Sequence, residues 1–174
     1  DQYSNTSSII VTVIISFFHI CGTAFANDFS SSLLCPFFIN NLNEPVLHLF
    51  SIIIGESEKI NSDLKNNGLL NKLPELTDIN FLRTKYLIYS NYCLTCDMDD
   101  FSDCLVVVNE CVDNIIFEED DECFHYRIIC IERAINRSRE ILTILVSKGI
   151  FNFINAILTD GNDNRVIDCL HVLE

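Results

Sequence analysis

At 174 residues the chain can bury a sizeable core, and with five Gly and three Pro it has too few turn formers for an all-β domain. A net charge of −14 argues against nucleic acid or an anionic membrane as partner and favours basic ones. The first apolar stretch, Ile9–Cys21, is broken by Thr12, Ser16 and His19 at intervals that suit an amphipathic helix, predicted over 8–22. Ala24-Phe25-Ala26 behind it offers a second reading as a signal peptide, but no Lys or Arg precedes it. It is also shorter than the roughly 20 residues of a membrane span. Next come a short helix near Leu33 and, after the break Asn40-Asn41-Leu42-Asn43, a longer apolar run, Val46–Ile54, predicted as a helix over 44–55. A helix opening at Gly68 and the break Thr77-Asp78 lead to Phe81–Cys93, predicted helical over 79–93. A helix over Glu110–Ile116 and the acidic break Glu118–Glu122 precede Phe124–Ile135, predicted over 122–136. Gly149 opens another helix, and Asp160–Asn164 leads into Val166–Leu173, predicted over 163–174. The Asp and Asn side chains of these breaks are good helix caps.

The order of elements repeats. Asn66-Asn67-Gly68-Leu69-Leu70-Asn71-Lys72-Leu73 is echoed by Ser147-Lys148-Gly149-Ile150-Phe151-Asn152-Phe153-Ile154. Weaker copies start near Leu33 and Cys111, so the four starts lie roughly 36 to 42 residues apart, a spacing within armadillo and HEAT tolerance. The expected fold is therefore all-α, a solenoid of about four repeats over 1–174. Its units are 1–22 (partial), 23–57, 58–96, 97–137 and 138–174 (incomplete). Asp1 opens the chain, and Val172-Leu173-Glu174 close it inside an apolar segment without a cap, so the expectation is a piece of a longer solenoid.

Three stretches resemble the importin-α armadillo family. Ile144–Asp160, running on through Arg165-Val166-Ile167 to Leu173-Glu174, is similar to that family's penultimate repeat. Leu47–Gly55 with Glu56-Ser57-Glu58 is similar to a third helix and its following turn, and Leu87-Ile88-Tyr89-Ser90-Asn91 to the family's "WTISN". The resemblance implies a right-handed armadillo solenoid, the C-terminal half of a nuclear import adaptor that binds basic nuclear-localisation-signal peptides. It implies cytoplasmic and nuclear residence, with importin-β-type and export karyopherins as further partners. It also implies a ladder of Trp and Asn on the long helices, whose Trp walls clasp cargo Lys and Arg stems. The chain has no Trp. On the matching rungs stand Leu87 and Asn91, then Leu47 and Ser51, then Ile128 and Glu132, so the expected peptide-binding residues are Asn91, Leu87, Ser51 and Glu132. The alternatives are a degenerate armadillo or HEAT scaffold without cargo binding, and a secreted cysteine-rich helical protein.

Acidity gathers at Asp97-Met98-Asp99-Asp100, Asp103 and Glu118–Glu122. It suits attraction of a basic peptide, although the last run also sits where an exposed turn is expected. Of nine cysteines, Cys93 and Cys96 have metal-ligand spacing, but no second Cys-x2-Cys follows, so no metal is expected. Cys21, Cys93, Cys130 and Cys169 fall in apolar helical stretches and are expected to be buried and reduced. Phosphate loops, nucleophile elbows and zinc-protease motifs are missing from the sequence. Asp160-Gly161-Asn162-Asp163-Asn164 has Arg165 and His171 where a calcium loop needs Gly and Glu. A non-enzymatic protein without cofactor is the expectation.

Overall fold

The computed structural model of the chain describes residues 2–96, 101–160 and 163–173, and every regular element among them is a helix. Two compact units divide the chain, Asp1–Cys96 and Asp97–Glu174.

The first unit holds α1 (Gln2–Cys21), α2 (Thr23–Ser30), α3 (Leu34–Ile39), α4 (Glu44–Ile53), α5 (Glu58–Asn66), α6 (Leu69–Lys72) and α7 (Ile79–Thr95). Helix α4 is sandwiched between α1 and α7. It therefore buries residues nearly all round: Val46, Leu47, Leu49, Phe50, Ser51 and Ile53. Val11, Ile14 and Phe18 of α1 and Ile88, Tyr89 and Tyr92 of α7 complete this core. Shorter helices form a second row, in which α2 packs on α5. Capping explains the helix starts. Asn43 accepts from the Val46 N–H with Pro45 in the first turn, Ser57 accepts from Ile60, and Asp78 accepts from Asn80.

The second unit holds α8 (Phe101–Val112), α9 (Asp121–Arg137), α10 (Arg139–Ser147), α11 (Ile150–Asp160) and α12 (Asp163–His171). Helix α9 is its centre and packs on α8, α10 and α12. Cys123, Phe124, Arg127, Ile128, Cys130, Ile131 and Ala134 are its buried residues.

The long helices expected over 8–22, 44–55, 79–93 and 122–136 are α1, α4, α7 and α9, while the one expected over 163–174 is the nine-residue α12, which ends at His171. Helix α1 begins six residues earlier than expected, because neither Gly nor Pro interrupts Gln2–Ser8. The echoed phrase has one local structure in both places. Gly68 and Gly149 both take left-handed backbone, φ +86° and +83°, and join a nine-residue helix to the next one. The bonds match as well: Asn67 N–H to Asp63 O and Gly68 N–H to Lys65 O, against Lys148 to Ile144 and Gly149 to Val146. The expected helix over Glu110–Ile116 is a correction. There α8 runs on to Val112, Asn114 turns left-handed at φ 59°, and Ile115–Phe117 is a single 3-10 turn. Asn tolerates that conformation and so ends a helix without the glycine that a sequence reader looks for.

Eight cysteines are buried. Cys21 is exposed, against expectation, because Gly22 turns the chain away at φ 62° just after it. Among the described residues no single helix is long and apolar enough to cross a membrane.

Candidate binding faces on the long helices

The rung expected at Ser51, Leu87 and Asn91 lies on the joint between α4 and α7. Ser51 is buried, and its hydroxyl donates to the His48 carbonyl at 2.8 Å. Leu87 and Asn91 are half-buried on α7. The Asn91 amide donates to the Ser51 carbonyl at 3.0 Å. The structure thus brings Ser51 and Asn91 together, but couples them to each other. Gly55, at φ +89°, follows the end of α4 and sits so close that a Cβ there would lie 2.7 Å from the Asn91 carbonyl oxygen. Asn61 closes the same corner. Its amide donates to Tyr92 O at 3.1 Å and to the Thr95 hydroxyl at 2.8 Å, while its Oδ1 accepts from Gly55 N–H at 2.9 Å. Sequence reasoning missed Asn61. Its signal was position, since it sits beside Ile60 and one turn from Leu64 on the buried face of α5.

Glu132, the other expected residue, belongs to the second unit. It lines a concavity of about 260 Å³ between α9 and α12 with His125, Ile128, Ile129, Asp168 and His171. A second concavity of about 440 Å³ continues along the same two helices, lined by Asp121, Glu122, His125, Tyr126, Asn164, Ile167 and Asp168. His125 Nδ1 and Asp168 Oδ1, 2.8 Å apart, form a bar between the two hollows. The groove therefore carries four carboxylates, Asp121, Glu122, Glu132 and Asp168, over a floor that includes the buried Ile128 and half-buried Ile129. Its repeat along α9 comes from helical spacing: residues 121, 125, 128 and 132 lie on one face. The wider field has the same sign. Of the 25 carboxylates 17 lie in Asp97–Glu174, against 6 of the 11 basic side chains, so this unit carries −11 of the chain's −14.

In the acidic run at 118–122, Glu118, Asp120 and Asp121 have partners within the fold, while the side chains of Glu119, Asp121 and Glu122 are exposed, as the expected turn implies. Glu118 pairs at 2.9 Å with Arg127, whose side chain is 4% exposed and also donates to the carbonyls of Cys111 and Asp113. Asp120 caps α9 by accepting from Cys123 N–H. Asp121 accepts from Arg165 Nε at 2.7 Å, and Arg165 also donates to the carbonyls of Glu118 and Glu119. The Arg165 guanidinium lies 4.6 Å from the centroid of the Phe124 ring. Asp97, Met98, Asp99 and Asp100 lie outside the described residues.

Thiol chemistry has little footing here. Burial, with the charge of Asp63 beside it, pushes the Cys35 thiol up to about 12, and burial with Asp168 nearby pushes Cys169 up to about 11. Cys93 and Cys96 are both buried, and the Cys96 Sγ lies 3.8 Å from the Cys93 carbonyl oxygen. Among the described residues no three His, Cys, Asp or Glu side chains converge as a metal site. No protein-family model, curated protein or solved structure matches the chain.

Proposed function

We propose that the chain is an armadillo-type helical-repeat segment that binds a Lys/Arg-rich peptide, in the manner of an importin-α-like adaptor, without catalysing a reaction. The observation that carries this reading is the α9–α12 groove, in which Glu122 and Glu132 stand beside an isoleucine floor while Asp121 pairs with Arg165 and Asp168 with His125. That combination takes the aliphatic stem and the cationic head of Lys or Arg together. The packing of α1 on α4 on α7, three successive long helices of one row, supports the repeat reading. Import of basic-signal cargo between cytoplasm and nucleus, with karyopherins as transport partners, belongs to the same proposal and rests on the sequence resemblance. Without Trp walls the grip is mainly electrostatic. Each missing wall forgoes about 0.5–2 kcal/mol of cation–π attraction, and salt screens the remaining field beyond about 8–10 Å.

The test is calorimetric titration of the whole chain with a Lys/Arg-rich peptide and a Lys→Gln control, at low and physiological salt. The basic peptide binds, more weakly as salt rises, and Glu132→Gln with Glu122→Gln loosens it by about 0.2–1 kcal/mol per charge. Equal binding of the two peptides would sink the proposal. A second reading, an interaction scaffold without cargo binding, is favoured by the Asn91 amide being held by Ser51. It prevails if the basic peptide does not bind at either salt concentration.

A further inference from the structure

A hollow of about 180 Å³ opens between two corners of the second unit, and it shares no lining residue with the α9–α12 groove. One wall follows Asn114, whose left-handed backbone at φ 59° starts the 3-10 turn Ile115–Phe117 behind α8. The other wall is the second copy of the echoed phrase, where Gly149 at φ +83° joins α10 to α11. Val112, Ile115, Phe117, Ile150 and Phe153 supply the apolar lining. Ile115 and Ile150 are each 3% exposed, and the Phe153 ring packs 6.1 Å from the buried Phe124 ring. Phe117 stands at the edge, 73% exposed. The hollow is therefore a notch that reaches core residues.

Its charge is the reverse of its surroundings. Asp97–Glu174 carries 17 carboxylates and a net −11, yet no described carboxylate lines the hollow. The charged residue in its lining is Lys148. The Lys148 ammonium donates at 2.6 Å to Asn109 Oδ1, a neutral acceptor, and among the described residues no carboxylate pairs with it. The turn itself does not require that charge. In the first copy of the phrase Asn67 stands where Lys148 stands, and its amide makes the equivalent reach, to the Ser30 carbonyl at 3.3 Å.

Size and charge together define the occupant. An apolar hollow of about 150 Å³ takes one benzene ring, so this one takes a single group of that bulk. Lys148 supplies a place for one carboxylate beside it. The −11 field of the unit counts against an acidic peptide, which brings several negative charges, and far less against a single one. We infer that the hollow binds a free monocarboxylic acid carrying one aromatic ring, with the ring against Ile115, Ile150 and Phe153 and the carboxylate on Lys148. This stands independently of the peptide groove.

The test is NMR titration of the whole chain, labelled at its isoleucine methyls, with 3-phenylpropionate and with the neutral 3-phenylpropanol. The acid shifts the Ile115 and Ile150 methyl signals in a saturable way and leaves those of Ile128 and Ile129, in the acidic groove, unmoved. The alcohol binds at the same place about two- to fivefold more weakly, the range of an exposed charge pair. Lys148→Met removes the difference between the two probes. Asn109→Asp removes it as well, by giving Lys148 a carboxylate of its own while every apolar wall stays in place. An acid that leaves Ile115 and Ile150 unmoved, equal binding of acid and alcohol by the wild type, or a preference for the acid that survives in Lys148→Met overturns the inference. So does a shift produced by a peptide ending in Phe but not by the free acid, which assigns the hollow to a chain terminus instead.

Discussion

Arg127 shows how much one side chain decides. It is buried on α9 and donates to Glu118, the Cys111 carbonyl and the Asp113 carbonyl, and the Glu118 carboxylate also accepts from the Asp120 N–H. Replacing Arg127 by Met strands a carboxylate that is only 10% exposed, so the expected loss is about 3–5 kcal/mol, read from urea unfolding. Arg127→Lys recovers little of it, since the single ammonium nitrogen cannot match acceptors set for three separate guanidinium nitrogens, Nε, Nη1 and Nη2. Asp63 has a pH signature. Desolvation raises its pKa, but hydrogen bonds from Lys59, Ser31 and Ser30 and the Lys59 charge outweigh it and hold the carboxyl below its ordinary 3.8. A group depressed in the folded state stabilises above its unfolded pKa, and that stability is lost as pH falls through the folded value. Melting temperature should therefore fall below about pH 4. Asp63→Asn should be less stable at neutral pH and show a shallower acid limb, and parallel limbs for the two proteins would refute this.

At the scale of elements, two glycines separate backbone strain from crowding. Gly55 and Gly68 share a left-handed φ, +89° and +86°, but a Cβ at Gly68 meets no atom within 4 Å. Gly68→Ala therefore carries the conformational cost alone, roughly 1–2 kcal/mol. Gly55→Ala adds a collision with the Asn91 backbone at 2.7 Å, which pries α7 away from the end of α4. It should cost at least about 1 kcal/mol more than Gly68→Ala in matched denaturation curves. Equal costs would mean that the α4–α7 joint is loose. Most of the elements were legible in the sequence. Asn43, Asp78 and Asp120 act as the caps their residue types announce, and α1, α4, α7 and α9 follow their apolar runs, whereas α5 behind the Ser57 cap was not expected. The failure at Glu110–Ile116 has a local cause, an Asn in the place a glycine would hold.

At the scale of the whole molecule, the thiols report on how the cores open. Native protein should give one fast-reacting thiol, Cys21, and denatured protein all nine, as read by a thiol reagent with and without guanidinium. The buried thiols then divide by unit. Cys35, Cys93 and Cys96 lie in Asp1–Cys96, and the other five in Asp97–Glu174, so mass spectrometry of pulse-labelled protein follows each core separately. More than one fast thiol before unfolding would contradict the burial. The candidate site was legible only in part. Glu132, placed on a rung by the family resemblance, lines the α9–α12 groove, and in the acidic run, where an exposed turn was expected, Glu118 pairs with Arg127 and Asp121 with Arg165 while Glu119 and Glu122 are exposed. By itself the sequence determined the all-helical class, the caps and the long helices, because those depend on residues within one or two turns of each other. Tertiary structure decided where polar groups are spent. Asn91 meets Ser51 across 40 residues and Arg165 meets Asp121 across 44, and only the packing of one helix on another selects such partners.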